Sequence, residues 1–118
     1  MFEVLRASRQ FGRAVRFRDA GFHDRAFELL VKAEALLQRC RNKNSPYYLG
    51  VATQVLMGLT REAERRGLRE VGDRTVTAAV ALRDAALSSY PHLRNEEHFR
   101  LWADWVEKQQ RARNPSPK

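Results

Sequence analysis

Apolar residues in this chain recur three and four positions apart and nowhere alternate over the length of a strand, so the helix is the regular structure that gathers them on one face. The punctuation between these segments is helical as well. Helix one is expected over residues 2–19, ended at Ala20-Gly21 by a left-handed glycine cap, and helix two over about 24–41. Ser45 followed by Pro46 reads as a hydroxyl cap with proline at the first helical position, opening a third helix that stops at Gly67. Asp73 is expected to cap a fourth helix over 74–89, ended by Pro91, and Asn95 a fifth with Glu96 and Glu97 in its first turn. The fold class is therefore all-α, with about five antiparallel helices. At 118 residues the chain suits one domain over residues 1–112, with 113–118 as a loose tail.

The candidate core follows from the helical wheel. Val4, Ala7, Phe11, Ala14 and Val15 share one side of helix one, while helix two is apolar nearly all round and needs cover on more than one side. Helix three turns Tyr48, Val51, Ala52, Val55, Leu56, Leu59 and Ala63 inward. Its Gly50 and Gly58 weaken it unless a neighbouring backbone comes close. Helix four has a stripe of Val76, Ala79, Val80, Ala86 and Leu87 padded by alanines, and helix five turns Phe99, Trp102, Trp105 and Val106 inward. Arg83 interrupts the stripe of helix four, so it snorkels, pairs with a carboxylate or faces another chain at an interface.

Charge gives the sharpest functional signal. Arg6, Arg9, Arg13 and Arg16 fall at spacings of three, four and three, which places them in one row opposite the apolar side of helix one. Net charge is +8, from 22 Lys and Arg against 14 Asp and Glu. Residues 1–44 hold ten of the cations and five of the acids, so the excess is densest at the N-terminal end. Such a surface calls for an acidic protein partner or further subunits, or alternatively for an RNA or DNA backbone in a larger complex. Arg61 and Arg65 extend the candidate partner-binding set on the polar side of helix three, where Tyr47 is an aromatic beside positive charge.

Catalysis finds little footing. His23, His92 and His98 include no pair at chelating i, i+4 spacing and Cys40 has no CxxC partner, so no metal and no cofactor is expected. No Ser-centred nucleophile turn or phosphate-cradling glycine loop is present. His98 is expected as a half-buried packing residue. Arg94 and His98, with three residues between them, are similar to the arginine and histidine of the HEPN ribonucleases, which have four to six. That resemblance implies a ribonuclease as a remote alternative to a non-catalytic binding subunit. A lone cysteine, no signal-like apolar leader and no long apolar run make a reducing cytoplasm the expected setting, without a membrane span.

Phe17, Gly21, Ala26, Leu30 and Ala33 stand at the mutual spacings of the aromatic, glycine, small, large and small packing positions of a tetratricopeptide hairpin, which residues 10–40 thus resemble. Gln10, Arg13 and Gln38 depart from that pattern. The resemblance implies a protein-interaction module without catalysis, and its register would pack Arg13 inside the fold.

Overall fold

Two turns of the same construction organise the chain. After α1 (Phe2–Asp19), Gly21 takes φ 90°, its N–H bonds the Arg18 carbonyl and the Phe22 N–H reaches back to Phe17. After α3 (Pro46–Arg66), Gly67 takes φ 72°, with its N–H on Glu64 and the Leu68 N–H on Ala63. Both are six-to-one, five-to-two helix closures that need a positive φ, which glycine adopts without steric cost. Each turn feeds directly into the next helix, α2 (His23–Gln38) or α4 (Arg69–Ser89), producing two antiparallel hairpins. A 3-10 turn over Pro91–Asn95 then leads into α5 (Glu97–Arg113).

These coordinates are a computed structural model that describes residues 2–113. The architecture is an all-α bundle, with no strand among the described residues. Among those residues no helix is long and apolar enough to cross a membrane. The main core lies between α1, α2 and α3, where Ala7, Ala26, Ala33, Val55 and Leu59 are sealed from solvent. Alanines at 7, 26 and 33 let the first two helices approach closely. A second cluster of Leu56, Ala79, Trp102 and Val106 seats α5 on α3 and α4.

Several helix ends differ from the sequence expectation, for local reasons. α4 begins at Arg69, not after Asp73, because the Gly67 turn returns the chain to helix at once and Gly72 N–H already bonds the Leu68 carbonyl. Asp73 is an internal residue of α4, and its carboxylate accepts from Arg113 Nε at 2.8 Å. Asn95 closes the 3-10 turn, so the cap of α5 passes to Glu96, whose Oε1 accepts from Phe99 N–H at 3.0 Å. α2 stops at Gln38. Ser45 does cap α3, accepting from the Tyr48 N–H at 3.1 Å.

Arg113 belongs to α5 and not to a tail. Its side chain is largely covered, bonding Asp73 and Gln109 and reaching Glu64 at 3.5 Å, which pins the end of α5 to the turn between α3 and α4. The rest of the expected tail, 114–118, lies outside the described residues. α2 is also less enclosed than its composition implies. Val31 and Ala35 are exposed, while α1 and α3 cover the opposite side. On α5 only Trp102 and Val106 are buried, and Phe99 and Trp105 lie half-buried at the edge of the cluster.

No neighbouring backbone approaches Gly50 or Gly58. A Cβ at Gly58 would meet the Leu30 side chain of α2 at 3.2 Å, whereas one at Gly50 would meet nothing within 4 Å. Gly50→Ala is therefore expected to stabilise the protein by about 0.5–1 kcal/mol, the usual helix-interior penalty of glycine. A denaturant midpoint that rises with unchanged slope checks this, and a fall would show that the open space is required.

Candidate basic interface

The inward face of α1 is narrow. Val4, Ala7 and Ala14 are buried, and this fixes the rotation of the helix so that Arg6, Arg9, Arg13 and Arg16 all stand exposed on the far side. Arg13 is exposed, not packed as the tetratricopeptide register would have it. Its Nη1 donates to Gln10 Oε1 at 3.4 Å, a contact within α1.

Across the seam, α2 runs antiparallel and brings Lys32 and Arg39 to the same surface. With Arg6 and Gln10 they ring a shallow depression whose remaining walls are Ala35 and Leu36. These two cations belong to the polar strip of α2 and escaped the sequence-derived site. A wheel drawn on one helix cannot show which residues of a second helix will stand beside its polar face.

Ion pairs are concentrated away from this surface. Elsewhere several arginines have acids: Arg25 has Glu28, Arg66 has Asp24, Arg74 has Glu34, and Arg111 has Glu107, whereas Arg41, Arg61, Arg69, Arg94 and Arg100 stand exposed as scattered single charges. Arg83 donates from Nε to Asp84 of its own chain at 3.1 Å, with its side chain 21% exposed. Among the described residues Arg6, Arg9, Arg13, Arg16, Lys32 and Arg39 form no ion pair with a carboxylate. The row is thus a set of hydrated like charges held on a rigid helix, which an acidic surface would relieve.

The other candidate residues are not part of this row. Arg61 is exposed on α3 beside the Arg18 flank of α1, in a groove with Phe11, Ala14 and Val15. Arg65 is exposed with Nε 3.9 Å from Glu62 Oε1. Tyr47 is exposed in the first turn of α3, about four helical turns from Arg61. The sequence places these three on one polar strip; the fold distributes them along 21 residues of helix, away from the row on α1.

A larger opening of about 390 Å³ lies between the start of α3, the 3-10 turn and the start of α5, bordered by Leu49, Tyr90, Phe99 and Trp102. Several of its polar groups already have partners: Trp102 Nε1 donates to the Thr53 carbonyl at 3.2 Å, and Tyr90 hydroxyl to that of Asn44 at 2.7 Å. Arg94 and His98 are both exposed, His98 at the border of this opening, so His98 is not the half-buried packing residue expected from sequence. Cys40 is buried, donates weakly to the Leu36 carbonyl, and has its thiol pKa raised, first by burial and then by Glu3. Such a thiol is a packing group and a poor nucleophile. Among the described residues no three His, Cys, Asp or Glu side chains are grouped as a metal would need.

No protein-family model, curated protein or solved structure matches this chain.

Proposed function

We propose that the protein is a non-catalytic binding or assembly subunit whose α1–α2 face engages an acidic protein surface. The observation that carries this reading is the unpaired cation row, Arg6, Arg9, Arg13, Arg16, Lys32 and Arg39, in a molecule whose other helices neutralise many of their arginines internally. Arginine suits the task because its planar fork binds a carboxylate through two parallel hydrogen bonds. The row would also speed encounter with an anionic partner. The resemblance of residues 10–40 to a tetratricopeptide hairpin supports an interaction module, and the lone thiol of Cys40 suits a reducing cytoplasm.

The test uses a fluorescent poly-glutamate peptide and a single-stranded RNA of equal charge, each titrated with wild type and with the double charge reversal Arg9→Glu and Arg13→Glu. Wild type is expected to bind the peptide, and the double variant to lose at least about tenfold in affinity, since each reversal turns attraction into repulsion at a rim position. Its melting temperature should scarcely move, because exposed charges contribute little to stability. Peptide affinity that survives the reversal overturns the reading, as does a double variant that unfolds. Preference for RNA, with a steep loss in salt and an absorbance ratio of the purified protein shifted toward 260 nm, would replace it with a nucleic-acid-binding subunit.

A further inference from the structure

The basic face is not uniformly polar. Its rim of cations encloses two apolar floors, one at each end of α1. The first, about 200 Å³, is floored by Ala35 and Leu36 and rimmed by Arg6, Lys32 and Arg39. The second, about 350 Å³, is floored by Phe17, Ala20 and Phe22 and rimmed by Arg13 and Arg16. Phe22 is 62% exposed, although it occupies the turn position that would ordinarily press a side chain back onto its helix. Its ring meets Phe17 only edge to face, with centroids 6.3 Å apart, leaving much of its surface in water.

We infer that the occupant of this face is an acidic amphipathic helix that sets one large apolar side chain into each depression and its carboxylates against the flanking arginines. This rests on the acidic-partner reading above and specifies the chemistry of the partner. The residues of α1 that line the two depressions are centred about seven positions apart, about 11 Å at the helical rise of 1.5 Å per residue. Apolar anchors about seven or eight residues apart on one face of a partner helix span a similar distance. The seam between α1 and α2 runs along both helix axes, so a helix laid in it faces the arginine row over its whole length. Carboxylates at spacings of three and four would then meet cations at spacings of three, four and three.

The first apolar floor also discriminates between classes of partner. A phosphate backbone would satisfy the arginines but would leave Ala35 and Leu36 in contact with a charged, hydrated chain. The aliphatic floor of the first depression offers no ring face for a base to stack upon, whereas the Phe22 ring of the second would accept a base or an apolar anchor alike, so the discrimination rests on the first. An acidic helix with two anchors uses both the charge and the floors. Electrostatics would govern the rate of encounter, and the anchored apolar contact the lifetime.

The experiment compares three fluorescent probes on the intact chain. One is a helical glutamate-rich peptide with two leucines about seven residues apart. The second has both leucines replaced by serine, and the third is a single-stranded oligonucleotide of the same charge. The leucine peptide is expected to bind at least about tenfold tighter than the serine peptide, the discrimination typical of anchor side chains at an interface centre. That ratio should persist when salt weakens both, because burial of apolar surface is not screened. Ala35→Gln, which fills the first depression from an exposed position, should reduce the ratio severalfold without shifting the melting temperature. Phe22→Ser should do the same at the second. Equal affinity for the two peptides, still lost on charge reversal of Arg9 and Arg13, overturns the anchored helix and leaves the acidic-partner reading standing. Binding of the oligonucleotide alone, or of none of the probes, overturns both.

Discussion

Replacing Trp102 by alanine is expected to destabilise the protein by about 3–5 kcal/mol, the usual cost of emptying a large aromatic site in a core. Trp102 and Val106 are the buried residues of α5, and the indole sits with Leu56 of α3 and Ala79 of α4. Its Nε1–H also donates to the Thr53 carbonyl, so truncation removes a hydrogen bond together with the apolar contact. The lower end of the range is favoured, because Trp102 borders the opening between α3 and α5 and water can enter the vacated space. Chemical denaturation followed by circular dichroism measures the cost. A loss below about 1 kcal/mol would mean that α5 is held by Arg113 and the edge residues instead, contrary to the core assignment.

Helix identity was legible because the strongest local signals sit at chain positions that tertiary contacts do not contest. Gly21 and Gly67 supply the positive φ that a helix closure needs at no steric cost, and Ser45 with Pro46 opens α3 whatever packs upon it. The misjudged ends involve residues with two competing uses. Asp73 has the chemistry of a cap, but Gly67 had already redirected the chain, and a distant guanidinium on α5 takes its carboxylate. Asn95 likewise lost the cap to Glu96 because Pro91 favours one more tight turn before the helix starts.

The row of four arginines on α1 was readable because it depends on one helix alone. What surrounds it was not. Lys32 and Arg39 join the row only through the antiparallel seam, and Arg61 and Arg65 leave it because α3 packs on the other flank of α1. Which arginines are neutralised was equally hidden, since the pairs of Arg66 with Asp24, Arg74 with Glu34 and Arg113 with Asp73 each span 40 or more residues. Local spacing reveals charge on a face; only the fold reveals whether that charge is free.

The Arg74–Glu34 pair is where this distinction has its largest expected effect on stability. Glu34 lies on α2 with its side chain 11% exposed, and Arg74 Nη1 donates to its Oε2 at 2.5 Å from α4. The hydrogen bond to Glu34 raises the pKa of the Arg74 guanidinium. Arg74→Ala would leave a largely desolvated carboxylate without its counter-ion, at an expected cost of about 1–3 kcal/mol. The cost stays below that of a fully buried pair because Arg74 is itself 49% exposed and water can replace part of the guanidinium. Removing both charges, as Glu34→Leu with Arg74→Met, should recover stability to within about 1 kcal/mol of wild type, since the desolvated carboxylate has gone. Denaturant midpoints of the two singles and the double form a mutant cycle. Strong non-additivity is the expected result, and a double variant whose loss equals the sum of the singles would show that the two groups act independently.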